Sequence, residues 1–331
     1  VVGAGWVDRA VLNAPRAEFS IGATVVQIEN LEFRRDAADL GMMGESDGML
    51  RLREKVARYA ELSAPVLVVG ESGTGKDLVA RALHDISKRR GSYVALNAAA
   101  LPESLCDAEL FGHARGAFTG AVASRTGAFE LAHRGSLFLD EIAELGLAGQ
   151  AKLLRVVEDG VVRPLGASQT TTVETRLISA TCAPLGERIE QGKFREDLYH
   201  RLSLLSIEVP PLRRRTSDIP LLARTFFARR AAEFGPKYLL PAAEEFLAEQ
   251  NWPGNVRQLF GSLYRAAVLS EGPALGPQHF EIGSLRSARS PAPGPERAVQ
   301  LLAESGSVSA AARAAGVPRS TFRSILKRAQ G

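Results

Sequence analysis

The 331-residue chain has only two cysteines, Cys106 and Cys182, too few for a disulfide framework or, by themselves, a metal site. Both are expected to be small buried side chains in a reducing compartment. No apolar run approaches the roughly 18 residues of a membrane span. Residues 1–6 lack a positive start followed by an apolar stretch. A signal peptide and a membrane anchor are therefore not expected, and a cytoplasmic location is. The five histidines have no metal-binding spacing, and no internal repeat is found. With 45% hydrophobic and 24% charged residues, 31 Gly and 17 Pro, disordered and collagen-like classes are excluded. What remains is a globular chain of two or three domains.

The net charge of +4 conceals an asymmetry. From Gly283 onward, eight basic residues stand against Glu296 and Glu304, a local net of +6, and the rest of the chain sums to −2. Positive charge gathered at one end points to a terminal module for a polyanion, most simply nucleic acid. A short segment at 19–29 has β-branched, alternating residues suited to a strand or hairpin. Between 41 and 210, apolar runs at 66–69, 93–96, 137–139 and 177–179 alternate with helix-like stretches, the pattern of an α/β layer with a mainly parallel sheet. Helical spacing follows at 219–234, 241–250 and 255–270, with Pro220 and Pro241 placed in first turns. A Ser, Pro and Gly-rich stretch at 284–295 reads as a linker.

The apolar run at 66–69 leads directly into Gly70, Glu71, Ser72, Gly73, Thr74, Gly75, Lys76 and Asp77, and then into a helical run at 78–83. That is the strand, glycine-rich loop and helix order of a phosphate-binding loop. Glycines let backbone N–H groups turn toward phosphate oxygens, the helix N-terminus adds its dipole, and Lys76 supplies a charge for the outer phosphates. ATP with Mg²⁺ is the expected ligand. The usual Ser or Thr that helps hold Mg²⁺ is replaced by Asp77, so the metal must lean on another carboxylate. The apolar run at 137–139 delivers Asp140 and Glu141, and strand ends of that kind lie beside a phosphate loop in a parallel sheet. Asp140 is the candidate metal ligand and Glu141 the candidate for polarising the attacking water.

With these residues in place, the stretch from about Met43 to Ile282 resembles the AAA+ ATPase domain of bacterial enhancer-binding proteins, activators of sigma-54 RNA polymerase. The most specific element is the loop Gly116, Ala117, Phe118, Thr119, Gly120 and Ala121. The resemblance implies that this loop projects from a ring and engages sigma-54. Flanking glycines permit a sharp excursion, and an exposed Phe118 would be costly unless a partner covered it. By the same resemblance, Asn97 hydrogen-bonds the catalytic glutamate, and Arg195 and Arg201 reach the γ-phosphate bound by a neighbouring subunit. Arg257, in the segment Trp252, Pro253, Gly254, Asn255, Val256, Arg257, touches the nucleotide of its own subunit. Thr181 of the family's ATN pattern is retained as a nucleotide-binding residue, whereas Cys182 stands where the family has a sensor asparagine. A thiol is a poorer hydrogen-bond partner, which weakens the expected sensing.

The C-terminal stretch from Glu296 resembles the Fis-type helix-turn-helix of the same activators. A first helix is expected at 309–315, a turn at Gly316 and a second helix at 319–328, with Phe322, Ile325, Leu326 and Ala329 forming its buried stripe. Arg319, Ser320, Thr321 and Arg323 are then placed for base edges and Lys327 and Arg328 for phosphates. Residues 19–29 are similar to the closing strands of a forkhead-associated domain. Because the chain starts at Val1 and not Met, it is expected to be a fragment; the phosphate-contacting residues of such a domain would precede it, so no phosphopeptide binding is assigned.

The expected organisation is a partial β segment at 1–40, an AAA+ α/β ATPase subdomain at 41–212, a helical lid at 213–283, a linker at 284–295 and an all-α helix-turn-helix at 296–331. The implied activity is ATP hydrolysis in a hexameric or heptameric ring that remodels the closed promoter complex from enhancer DNA, as part of a phospho-signalling regulator. Two other readings stay open: a DNA-binding regulator using the nucleotide domain for assembly alone, and an AAA+ remodeller of other proteins.

Overall fold

The computed structural model describes residues 16–21, 24–29, 41–118, 121–280 and 295–305, together with Val308, Ala311, Phe322, Ile325 and Leu326. The chain divides into compact units at 1–280 and 281–331. In the first, strands β1 (Arg16–Ile21) and β2 (Thr24–Glu29) pair antiparallel, so the alternating stretch at 19–29 is one arm and part of the other.

The centre of this unit is a five-stranded sheet of β3 (Val66–Val69), β4 (Tyr93–Asn97), β5 (Ser136–Asp140), β6 (Arg176–Thr181) and β7 (Leu205–Glu208). Its order is β4, β5, β6, β3, β7, with every neighbouring pair parallel. The α/β expectation therefore holds. Successive side chains in a strand face opposite ways, and both faces are covered. Val66, Val68, Phe138, Ile178, Ala180 and Ile207 pack toward helices α1 (Asp47–Ala60) and α2 (Lys76–Ile86). Leu67, Leu137, Leu139 and Leu177 pack the other way, toward α3 (Glu103–Phe111), α4 (Leu147–Asp159), α5 (Leu185–Glu190) and α6 (Glu196–Leu202). Each such aliphatic side chain removed from water contributes about 1.5–3 kcal/mol, which holds the strand ends in register.

Helix α1 is tied at both ends by residues distant in sequence. Ser46 precedes it without using its own side chain as a cap. Instead Asp218, almost wholly buried, accepts hydrogen bonds from the backbone N–H of Glu45 (2.7 Å) and Ser46 (2.8 Å) and from Ser46 Oγ (2.7 Å). At the far end Arg176, buried on β6, donates to the carbonyls of Tyr59 (2.5 Å), Ala60 (2.9 Å) and Ala64 (3.4 Å). Carbonyls at and just beyond a helix's last turn gain from donors outside it. Burial pushes the Arg176 guanidinium down to about 10.

Past β7 the chain is helical: α7 (Ile219–Arg229), α8 (Pro241–Ala248) and α9 (Asn255–Leu269). Pro220 and Pro241 occupy first turns, where a missing N–H costs nothing. The helix expected over 219–234 is broken at Arg230, and a separate turn follows at Ala231–Phe234.

In the second unit, helix α10 (Pro295–Ser305) contributes Ala298 to a buried cluster with Ala311, Phe322 and Leu326, flanked by Leu301, Leu302, Val308 and Ile325. Three members of the expected stripe are thus in one core, and α10 is an element the sequence reading did not place. Ala329 lies outside the described residues, as do Arg319, Ser320, Thr321, Arg323, Lys327 and Arg328.

Candidate nucleotide-binding site

The loop 70–75 leaves the C-terminal end of β3 and enters α2. Gly73 (φ +77°) and Gly75 (φ +102°) take left-handed backbone, which only glycine adopts freely. Space also dictates glycine at 73: a Cβ there would collide with the Gly254 carbonyl oxygen, because the start of α9 is laid against the loop. Ser72, Gly73, Thr74, Gly75, Lys76 and Asp77 line a cleft of about 620 Å³ with Asn97, Asp140, Glu141 and Arg257. Its other walls are mostly apolar, from Met42, Met43, Met49, Leu52, Leu222, Val256 and Phe260, with Arg215 a further charged group on the lining. A polar end beside a loop of phosphate-binding shape and an apolar end of this size suit a nucleotide's phosphates and base respectively.

Glu141 follows β5 in left-handed backbone (φ +50°), a costly conformation for a non-glycine residue and one that gathers at functional sites. Its carboxylate lies 3.9 Å from Lys76 Nζ and accepts a hydrogen bond from the Cys182 backbone N–H (3.1 Å). Lys76 Nζ also donates to the Gly70 carbonyl (3.0 Å). Burial, and next the charge of Glu141, hold the Asp140 carboxyl above the usual carboxylate range. Burial, followed by the bond to Glu141, also raises the Cys182 thiol. Cys182 is exposed, contrary to expectation, whereas Cys106 is buried.

One correction concerns Asn97. The resemblance pairs it with the catalytic glutamate, but its amide Nδ2 donates to Asp140 Oδ2 (3.1 Å). The cause is register: Asn97 and Asp140 are direct partners across β4 and β5, while Glu141 has already turned toward β6. Gly70, Glu71 and Thr181 are absent from the cleft lining. Thr181 is buried and its Oγ1 accepts from the Ala183 N–H (2.9 Å). Glu71 faces the lid, where Arg213 grips it at 2.6 and 2.7 Å and Asn255 Nδ2 donates at 3.1 Å. That arginine holds the Glu71 carboxyl below its ordinary range.

The remaining candidates stand apart. Arg195 precedes α6 and makes a two-pronged pair with Asp197 (3.0 and 2.6 Å), and Arg201 is exposed on the same helix. The loop at 116–121 is closed at its base by Gly116 N–H to Ala121 carbonyl (2.8 Å), with Thr119 and Gly120 outside the described residues. Phe118 remains 38% exposed although its ring meets His113 at 5.0 Å between centroids. Arg213, Arg215 and Asn255 were missed. Arg215, buried, donates to the Thr74 carbonyl (3.0 Å) and Met49 Sδ (2.8 Å). Nothing local marks them, since their partners lie far back in the chain.

A parallel sheet in which an interior strand feeds a phosphate loop, with paired carboxylates two strands away and a helical lid above, defines an ATP-binding domain of the AAA+ class. The sequence matches the sigma-54 interaction domain family over residues 42–208 and the AAA+ ATPase lid domain over residues 213–294. The chain belongs to the sigma-54-dependent transcriptional activators of that class. It is 42% identical over 337 residues to the C4-dicarboxylate transport transcriptional regulatory protein DctD of Rhizobium meliloti, covering 97% of this chain and 71% of that one. It is 44% identical over 269 residues to the Nif-specific regulatory protein of Azotobacter vinelandii, covering 76% of this chain but 52% of the relative. The chain thus spans as little as about half the length of the curated relatives it matches. Among solved structures, NtrX from Brucella abortus in complex with ATP superposes with a TM-score of 0.67 at 33% identity, over 91% of this chain and 73% of that one. No helix among the described residues is long and apolar enough to cross a membrane.

Proposed function

We propose that the chain hydrolyses ATP in a ring and spends that energy opening promoters held closed by sigma-54 polymerase. The observation that carries this reading is the convergence of Lys76, Asp140 and Glu141 on one cleft at the phosphate loop. Lys76 binds the outer phosphates, giving up its bond to the Gly70 carbonyl. Asp140, with Asp77 nearby, is an oxygen donor set that fits Mg²⁺: crowded carboxylates, one already destabilised by burial, gain from a hard cation. Bound Mg²⁺ supplies charge neutralisation at the phosphate oxygens. Asn97 orients Asp140 through its amide. Glu141, once free of the Cys182 N–H, accepts a proton from the attacking water. Arg257, which donates to Ser72 Oγ at 3.1 Å, contacts the nucleotide of its own subunit. Arg195 and Arg201 act on the neighbour's, Arg195 exchanging Asp197 for phosphate.

The loop at 116–121 is the element that meets sigma-54, with Phe118 as its contact. The basic second unit, with its own small core, holds enhancer DNA through Arg319, Ser320, Thr321, Arg323, Lys327 and Arg328. The test is opening of a sigma-54 promoter in vitro by the purified chain. Open complexes are expected with ATP and polymerase together, and none with a non-hydrolysable analogue. Equal opening under both conditions would sink the reading.

A further inference from the structure

Four consecutive residues of the phosphate loop are held by groups from the segment running from Leu212 to the first turn of α9. Glu71's carboxylate is taken by Arg213 and Asn255. The Ser72 carbonyl accepts from Asn255 Nδ2 (3.1 Å), the Gly73 carbonyl from the Arg257 N–H (3.4 Å) and the Thr74 carbonyl from Arg215 Nη2 (3.0 Å). Every group held is an acceptor. Among the described residues the lid engages none of the loop's N–H donors, which are the groups a phosphate needs. A carboxylate or carbonyl turned inward would repel the phosphate.

Asn255 is the hub. It is wholly buried, and its backbone lies in the left-handed region (φ +50°), which Asn tolerates better than most residues. Its Oδ1 accepts from the Leu212 N–H (2.8 Å), which aims Nδ2 at the loop. One side chain therefore ties the hinge before the lid, the first turn of α9 and two loop residues.

We propose that Asn255 and the Glu71 to Arg213 ion pair form a clasp that turns the phosphate loop's acceptors outward, making Asn255 and Glu71 positioning residues for nucleotide binding. The proposal rests on the ATP reading for its substrate. A loop held in shape serves ground state and transition state alike, so loss of the clasp weakens binding with little effect on the chemical step.

The test is a double-mutant cycle on the full chain, using a fluorescent ADP analogue for affinity and ATP turnover for kcat and KM. Both side chains of the pair are partly exposed, so Glu71→Gln and Arg213→Gln leave the fold intact. Each is expected to weaken affinity and raise KM about threefold to tenfold, in keeping with a well-formed two-pronged pair. The double variant should be no worse than either single, and kcat should stay within about twofold. Asn255→Asp sets a carboxylate against Glu71 and costs more affinity. Adding Glu71→Gln to it restores a donor and acceptor and returns part of the loss, a rescue that a merely structural defect would not show. Unchanged or tighter binding in the single variants, or additive losses in the double, overturns the clasp. Should the unmodified chain turn over no ATP, the hydrolysis reading falls, while the ADP affinities still decide the clasp.

Discussion

Lys76 and Glu141 approach to 3.9 Å on the lining of the cleft, yet their chemistry differs, so their removal should separate two steps. Lys76→Ala is expected to abolish ATP binding measured by calorimetry. Glu141→Gln should keep binding and lower kcat at least about a hundredfold, the loss of a positioned base. Glu71 predicts a pH effect. Its carboxyl is held below the ordinary value by Arg213, so the stabilisation is present above the unfolded-state value and is lost as pH falls through the lower folded-state one. Urea midpoints followed from pH 7 toward 3 should therefore fall less steeply in Glu71→Gln; parallel curves would refute the assignment. Legibility at this scale divides by distance along the chain. Lys76 and Asp140 are readable because each ends or follows an apolar strand. Glu71's partners Arg213 and Asn255 lie 142 and 184 residues away, and one sequence carries no trace of such pairing. Asn97 was readable as a strand end, but its partner depended on register.

At the scale of elements, the loop at 116–121 is the clearest case of a local sequence shaping a local structure. Gly116 takes φ +80° with open space around it, and Gly166, opposite, leaves no room for a side chain beside Ala117. Because no described residue of this loop lines the nucleotide cleft, Phe118→Ala should leave ATP turnover within about twofold and abolish promoter opening. A joint loss of both would refute a role for Phe118 confined to contact with sigma-54. Four strands of the central sheet were legible as apolar runs between helical stretches. β7 was not: Leu205–Glu208 is a four-residue edge strand reading LSIE, too short and too mixed to stand out from the helix before it. The lid helices were visible from their spacing and prolines, and only the break at Arg230 escaped, since no Gly or Pro marks it.

On the scale of the whole molecule, the proposed hydrolysis requires assembly to bring the two kinds of site residue together. Arg201 is exposed, and neither it nor Arg195 lines the cleft of its own chain. Arg201→Ala and Glu141→Gln proteins should each be inactive alone. Mixed in equal amounts they should regain part of the ATP turnover, because some seams then pair an intact Arg201 with an intact Glu141; a mixture as inactive as its components would refute action between subunits. A last consequence follows from Arg176. The same helix that supplies Met49 and Leu52 to the apolar wall of the cleft is moored at its far end by a forked cation at the start of β6. With Arg176→Lys, a single ammonium cannot span three carbonyls, so the anchorage slips at one end alone. Amide exchange should quicken around residues 57–60 and stay slow beside Asp218. The nucleotide's apolar wall would then behave like a mast that has lost its lower stay, upright but no longer still.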